Sequence, residues 1–422
     1  MRTRNLTVGV VLALASQAAA GAEESIVSRL DRLEAENRAL RAALNRHESE
    51  IRRHRDAVAE QQATIAEQKA MLEGTPERLK EVEAGLAEAG GEDAWYRNIE
   101  IAGLIEVEAG YTSPFEGDDE SDIVLATFEL GVSSQITAWV EAGAALLYEE
   151  DETDLEVDIA YVTLFNDAVA PVFATAGQVY VPFGAYETQL VSDPLTLEIG
   201  ETRETSLQLG FVQGSFMGSV YAFNGENDVD GESQIGGWGG NLGYAYEGED
   251  RAVTLGVGYL NDLGDSDSLQ DLIADNRVAA IAEGAAISED PTERTGGWTL
   301  NAAAALGPFT LIGEYLAATG EFDMDSLQFD GDGARPSAWN IEAGYAFPVM
   351  GRESVAAIAY QGTSEALALE LPEERWMLGW SVAIFDNTAL SFEWAHDNDY
   401  SESKGGTGES ADTFVAQLAV EF

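Results

Sequence analysis

The sequence predicts an all-β transmembrane antiparallel barrel of about sixteen strands, preceded by an α-helical coiled coil. Three observations predict this fold. Apolar residues recur with a period of two from residue 99 to the end, short and long connections alternate between the segments, and the last strand ends in an aromatic residue. Lipid-facing strands of outer-membrane barrels show this dyad pattern in segments of about ten residues.

The dyad pattern separates carboxylates from apolar side chains. Glu100, Glu106 and Glu108 occupy even positions in residues 99–111, where the odd positions are mostly apolar. Sixteen such segments begin near residues 99, 122, 136, 155, 172, 205, 216, 236, 252, 298, 309, 338, 353, 374, 388 and 413. Seven short connections, one of them at 133–135, alternate with eight mostly longer ones. An even-stranded barrel with both termini on the periplasmic side requires this arrangement.

The final segment carries a further sign of this class. Phe414, Leu418 and Phe422 share one face of the predicted strand, and the sequence ends at Phe422. This ending resembles the signal by which bacterial outer-membrane proteins are recognised for insertion. An exported soluble β-protein is the alternative interpretation.

The N-terminal part has a different organisation. Residues 1–22 contain Arg2 and Arg4, a short apolar run and a cluster of small residues, which is typical of an export signal. Residues 23–92 then predict a periplasmic coiled coil with a short second helix. The heptad seam, which predicts oligomerisation, includes Leu30, Leu33, Asn37, Leu40, Leu44 and Ile51. Because Asn37 occupies a core position of this seam, we predict a homotrimer.

Charge divides the chain in the same way. The protein has 422 residues and a net charge of −54. Residues 1–97 hold 14 basic and 17 acidic residues, whereas residues 98–422 hold 8 basic and 59 acidic residues. The predicted barrel domain spans residues 93–422. Because nucleic-acid binding needs basic residues, nucleic acid is excluded as a natural partner. The absence of Cys excludes disulfides, Cys-based metal sites and thiol catalysis.

Parity predicts which carboxylates line the lumen. The pore-lining candidates are Glu100, Glu106, Glu108, Glu129, Glu141, Glu156, Asp158, Glu314 and Glu342. The same parity places Ile159 and Tyr161 on the outer face. Rings of carboxylates favour cations, so we expect a cation-favouring lumen. In the alternative interpretation, the acidic residues of the loops only keep the loops solvated.

Two long connections are candidates for narrowing the pore. Residues 181–204 contain turn-forming sequences, and residues 266–287 have a helix-like pattern. The constriction-loop candidates are Asp193, Glu198, Glu201, Arg203 and Glu204. Arg203 either faces these carboxylates across the pore or forms a salt bridge within the loop. An external lid or a trimer latch is the alternative role for each connection.

The sequence offers little for catalysis or cofactor binding. His47 and His54 are interpreted as polar seam positions in the coiled coil, and His396 as a surface residue beside a loop. We therefore expect no enzyme activity, no catalytic residues, no cofactor and no metal site.

Residues 177–204, from Gly177-Gln178-Val179-Tyr180 to Thr202-Arg203-Glu204, resemble the LbtU-type siderophore porin family. The order of export signal, coiled coil and barrel is similar as well. The resemblance implies an outer-membrane channel linked to the uptake of ferric siderophores, without the plug domain of energy-coupled receptors.

The sequence therefore predicts a porin in the bacterial outer membrane for passive passage of small solutes or ions, with its coiled coil in the periplasm. Its expected partners are outer-membrane lipid, the transported solute and two further copies of the chain. The alternative function is structural, with the coiled coil tethering the membrane to the peptidoglycan.

Overall fold

The computed structural model describes residues 98–150, 153–225, 227, 234–283, 285, 287, 291 and 293–422. The predicted export signal, coiled coil and seam residues lie outside this part of the chain, and they stay predictions. Among the described residues, no helix is both long and apolar enough to cross a membrane.

Sixteen antiparallel strands form a closed barrel, which confirms the predicted fold class. Each barrel strand pairs with the barrel strands before and after it in the sequence, and β1 closes the barrel against β18. The two short strands β12 and β13 form a separate hairpin. The strands are β1 Ile99–Ser113, β2 Glu120–Thr137, β3 Val140–Glu149, β4 Thr153–Asn166, β5 Ala170–Tyr180, β6 Arg203–Gln213, β7 Phe216–Phe223, β8 Gly237–Gly248, β9 Arg251–Leu260, β10 Gly297–Leu306, β11 Phe309–Ala318, β12 Gln328–Phe329, β13 Asp332–Gly333, β14 Ser337–Ala346, β15 Ser354–Ser364, β16 Glu374–Phe385, β17 Thr388–Asn398 and β18 Ser410–Glu421.

Two features of the strands differ from the prediction. The short turn expected at 133–135 is part of β2, which continues to Thr137 before turning back into β3. A β-bulge at Asp158 shifts the register between β3 and β4. Because a bulge inserts one residue, the residues after it change face. Ile159 and Tyr161 therefore lie on the inner face, and the prediction that they point outward is wrong.

The two faces of the barrel wall differ sharply in exposure. Ile341 is 62% exposed on the outside, whereas the adjacent Glu342 is 1% exposed on the inside. Aromatic pairs form two belts on the outer face, one near the long connections and one near the short turns. Examples are Trp238–Tyr259, Trp298–Tyr315 and Tyr360–Trp376 in the first belt, and Phe216–Tyr244, Phe309–Tyr345 and Trp380–Phe392 in the second. An apolar band between two aromatic belts is typical of a barrel that lies in a bilayer.

The apolar core is inside one half of the barrel, where long connections fold together. Two helices contribute to it: α1 (Leu195–Gly200), between β5 and β6, and α2 (Asp267–Glu283), between β9 and β10. The helix predicted at 266–287 is thus confirmed as α2. Phe183, Leu195 and Leu269 are almost fully buried in this core. The connection that holds α2 also contains a short 3₁₀ helix, Leu263–Asp265, and two other connections contain the 3₁₀ helices Leu367–Leu369 and Glu402–Lys404.

Candidate functional site in the barrel lumen

The connection between β5 and β6, residues 181–202, lies against the inner wall of the barrel, and we call it the inner loop. Its main chain approaches the wall at positions where the wall has glycine. A Cβ at Gly258 would collide with the carbonyl oxygen of Phe183, and one at Gly344 would collide with the side chain of Gln189. Glycine permits this approach because it lacks a side chain. The wall sequence is therefore matched to the inner loop.

Glu314 on β11 binds the first part of the inner loop. Its two carboxylate oxygens accept hydrogen bonds from the backbone N–H groups of Ala185 and Tyr186, each at 2.9 Å, and one of them also accepts from the Thr196 hydroxyl at 3.2 Å. The carboxylate is therefore occupied by the inner loop rather than open to the lumen.

Glu342 on β14 and Gln361 on β15 continue this series of contacts. The Glu342 carboxylate accepts from the hydroxyl of Thr188 at 2.7 Å and from the backbone N–H of Gln189 at 2.8 Å. The side-chain oxygen of Gln361 accepts from the backbone N–H of Leu195 at 2.9 Å. Glu314 and Glu342, expected to line the pore, are instead covered by the inner loop. Parity placed them correctly on the inner face, but it carries no information about what lies over them.

Glu393 on β17 completes the series, and it is not among the site residues predicted from the sequence. Its carboxylate accepts from the backbone N–H of Val191 at 2.6 Å and from the Ser192 hydroxyl at 2.5 Å. The signal in the sequence was that Glu393 alternates with Phe392 and Trp394, whose aromatic rings were predicted to face outward. We call the wall formed by β11 and β14–β17, together with its bound loop, the covered wall.

The wall formed by β1–β5 differs, and we call it the open wall. Its inner face carries Glu100, Glu106, Glu108, Glu129, Glu141, Glu156 and Asp158. All except Asp158 are partly or fully exposed. The predicted pore-lining set therefore falls into two groups, and the seven carboxylates of the open wall lie apart from Glu314 and Glu342.

A cavity of about 570 Å³ lies between the open wall, the inner loop and α2. Most of its polar lining is acidic. The carboxylates that line it are Glu149, Glu156, Asp193, Glu198, Glu201, Glu204, Asp267 and Asp271. All five constriction-loop candidates, including Arg203, line this cavity, so the structure brings them together.

Arg203 binds the open wall. Its guanidinium lies 2.5 Å from a carboxylate oxygen of Glu156 and 3.1 Å from one of Asp158, both on β4. Its backbone N–H donates to Asp267 at the start of α2, at 3.0 Å. Of the two alternatives for Arg203, the salt bridge within the loop is therefore wrong, because the partners of the guanidinium are carboxylates two strands away in the barrel. A second arginine, Arg375 on β16, forms a bidentate pair with Asp397 at 2.7 and 2.8 Å.

Burial changes the acidity of carboxylates beside the cavity. Burial, and after it repulsion from Asp267, raise the pKa of Glu201 to about 7. In the connection before α2, burial raises the pKa of Asp265 to about 8, and the nearby Asp262 adds repulsion. The charge of the cavity therefore changes with pH near neutrality.

His396 lies on the outer face rather than in the lumen. Its Nδ1 is 3.0 Å from a carboxylate oxygen of Asp412 on β18, and its ring stacks on Trp394. Within the described ranges, no group of three or more His, Cys, Asp or Glu side chains has an arrangement that could hold a metal ion.

The closed barrel, its outer apolar band and its inner loop define a porin-type fold. Solved structures of this type align along nearly their whole length. The anion-selective porin from Comamonas acidovorans gives a TM-score of 0.53 at 14% identity, over 77% of this chain and 99% of that one. Salmonella typhi OmpF, in a complex with daunomycin, gives 0.52 at 13% identity, over 77% and 98%. The outer membrane channel DcaP of Acinetobacter baumannii gives 0.51 at 12% identity, over 77% and 97%. At these identities the similarity concerns the fold.

Sequence relatives are found among the UPF0422 proteins. A UPF0422 protein of Legionella pneumophila (strain Philadelphia 1) is 30% identical over 356 residues, which cover 77% of this chain and 66% of that protein. A UPF0422 protein of Coxiella burnetii is 28% identical over 319 residues, which cover 74% and 66%. No family model matches the chain. The chain is therefore homologous to UPF0422 proteins and spans 66% of the length of these relatives.

Proposed function

We propose that the protein is a channel of the bacterial outer membrane, through which small solutes pass passively along the open wall. The observation that carries this proposal is the acidic cavity of about 570 Å³ between the open wall and the inner loop. The apolar outer band between two aromatic belts supports placement in a bilayer. The inner loop narrows the lumen from the opposite side and sets which solutes pass.

Cation preference is part of the proposal. The seven carboxylates of the open wall and the acidic lining of the cavity produce a negative potential that concentrates cations and repels anions. Arg203 compensates only part of this charge, because its guanidinium binds Glu156 and Asp158.

Passage of ferric siderophores is a narrower proposal, supported by the resemblance of residues 177–204 to the LbtU-type family. This segment includes the inner loop, so the resemblance falls on the part of the chain beside the cavity. The electrostatics of the lumen favour a cationic or neutral solute over an anionic one. We therefore propose siderophores without excess negative charge as the matching class.

Assembly as a homotrimer with a periplasmic coiled coil is supported by the heptad seam with Asn37. Native mass measurement of the detergent-solubilised protein tests the trimer, and a monomer would contradict it. A tether to peptidoglycan is the alternative role of the same segment. Deleting residues 26–89 should leave conductance intact if the barrel is a channel. If the segment is a tether, the same deletion should cause loss of envelope integrity.

Reconstitution of the full-length protein in planar bilayers tests the channel directly. We expect discrete conductance steps whose number grows with the amount of protein added. A fully folded barrel that stays silent over a range of voltages would overturn the channel.

A further inference from the structure

A second cavity, of about 230 Å³, lies on the inner face of the open wall near the short turns. We call it the mouth pocket and define it by Trp139, Glu141, Phe165 and Phe173, which line it together. Trp139 lies in the turn between β2 and β3. The other two rings lie on β4 and β5, where Phe165 and Phe173 are directly opposite in register.

The aromatic rings of the mouth pocket face the lumen. The hydroxyls of Thr163 and Thr175, two residues from Phe165 and Phe173, bond to each other on the inner face at 2.8 Å. The neighbouring Leu164 is exposed on the outer face. Because side chains alternate along a strand, both phenylalanines point inward. Aromatic side chains in the wall of an aqueous lumen depart from the dyad pattern, which otherwise places large aromatics on the lipid side.

The rings are accessible to a solute. Trp139 is 48% exposed, and Phe165 is 37% exposed. An exposed apolar patch commonly marks a binding surface in a protein that otherwise keeps such groups from water. The mouth pocket thus offers exposed aromatic rings to whatever passes along the open wall.

Glu141 adds a negative charge to these rings. Its carboxylate accepts a hydrogen bond from the hydroxyl of Tyr161 at 3.2 Å, which orients it within the pocket wall. Ring faces and a carboxylate together attract a cation that carries apolar groups, because the ring quadrupole and the carboxylate both favour positive charge. A small hydrated metal ion makes little use of the rings, and a neutral apolar solute makes no use of the carboxylate.

We propose that the mouth pocket is a binding site for alkylated ammonium ions, which bind there during passage through the lumen. The proposal rests on the proposed channel function and names a class of solute for it. Charge complementarity with the open wall favours this occupant over neutral or anionic aromatic compounds, since Glu100 and Glu129 lie on the same wall.

Two measurements on the full-length protein test the proposal. Choline is the probe, and 3,3-dimethylbutan-1-ol, which has the same shape without the charge, is its matched control. We expect choline to reduce the single-channel current at concentrations at which the neutral analogue has no effect. Calorimetry on the detergent-solubilised protein should give at least tenfold weaker binding for the neutral analogue.

Variants assign the binding to the pocket. We expect E141Q, which keeps the side-chain shape, and W139A to weaken choline binding tenfold or more, and W139F to fall between wild type and W139A. W238A, which removes a ring from the outer face, should bind choline as the wild type does. Equal binding of the neutral analogue, or wild-type affinity in E141Q and W139A, would overturn the site. Choline binding by a protein without conductance would support the pocket and contradict the channel, whereas conductance without choline binding would contradict the pocket alone.

Discussion

The open wall and the covered wall use the same side chain for different purposes. Glu129 on the open wall is partly exposed, whereas Glu342 on the covered wall is buried under the inner loop. Both follow the same dyad pattern. What differs is that the inner loop reaches Glu342 with the backbone N–H of Gln189 and the hydroxyl of Thr188. An inward carboxylate in this barrel is therefore either a loop anchor or a lumen charge, and its partners decide which.

The strongest test of this comparison removes the anchors of the covered wall. The triple variant E314Q/E342Q/E393Q weakens charge-assisted hydrogen bonds, which contribute roughly 1.5–3 kcal/mol each. We expect the inner loop to leave the wall and the single-channel conductance to rise severalfold. The measurement is conductance in planar bilayers, with E100Q/E106Q/E129Q as a control of equal charge change. An unchanged conductance in the triple variant would show that the inner loop does not restrict the lumen.

A smaller effect is expected from loosening the core beneath the inner loop. Phe183 is almost fully buried there, and truncating a buried Phe costs about 3–5 kcal/mol. Because the loss falls on the contacts of the inner loop, we expect cleavage within 181–202 by an added protease to accelerate at least about 100-fold, since cleavage follows the open population. F216A, which truncates an outer-face ring, is the control. Equal cleavage rates in F183A and F216A would contradict the packing described for the inner loop.

The distinction between the two walls was only partly accessible from the sequence. Periodicity located all sixteen strands because lipid outside and water inside impose alternation on every strand. It did not reveal the bulge at Asp158, because the sequence pattern of a strand does not show where a residue is left unpaired. The bulge places Ile159 and Tyr161 on the face opposite to the predicted one. The two short strands β12 and β13 have too few residues to show a period.

The contact partners of the candidate site residues could be predicted from the sequence even less well than the strands. One of the two alternatives for Arg203 paired it with carboxylates near it in the sequence, yet its guanidinium binds Glu156 and Asp158 on β4. Glu393 binds Val191, about two hundred residues earlier in the chain. Such contacts depend on strand order and on the path of the inner loop, and the spacing of residues along the chain does not encode them.

A moderate pH dependence should come from Glu201, which lines the cavity. Its pKa is raised to about 7, so its carboxylate gains charge as the pH rises through neutrality. We expect cation conductance to increase between about pH 6 and pH 8, and E201Q to lack this step. Because the folded pKa lies above the unfolded one, ionisation of Glu201 in the unfolded chain lowers stability as pH rises from about 4.5 to 7. Conductance of the wild type and of E201Q measured against pH tests this assignment. An identical step in E201Q would show that another group causes the step.

The smallest effect is expected from Arg203. R203Q removes the positive charge from the cavity and leaves Glu156 and Asp158 without their guanidinium partner. Because Arg203 and Glu156 are partly exposed and Asp158 keeps the hydroxyl of Tyr180 as a donor, we expect a change in stability below about 1 kcal/mol. Cation preference should rise slightly. Reversal potentials of wild type and R203Q under a salt gradient measure the change, and a shift toward anions would contradict the arrangement.

The most direct test of the open wall as the conducting path compares two sets of neutralised carboxylates. One variant carries E100Q/E106Q/E129Q on the open wall, and its control carries E247Q/E249Q/D250N at the exposed turn between β8 and β9. The measurement is the reversal potential in a KCl gradient. We predict a cation-selective wild type, loss of most of this selectivity in the open-wall variant and little change in the control. Equal selectivity in the wild type and the open-wall variant would contradict the account.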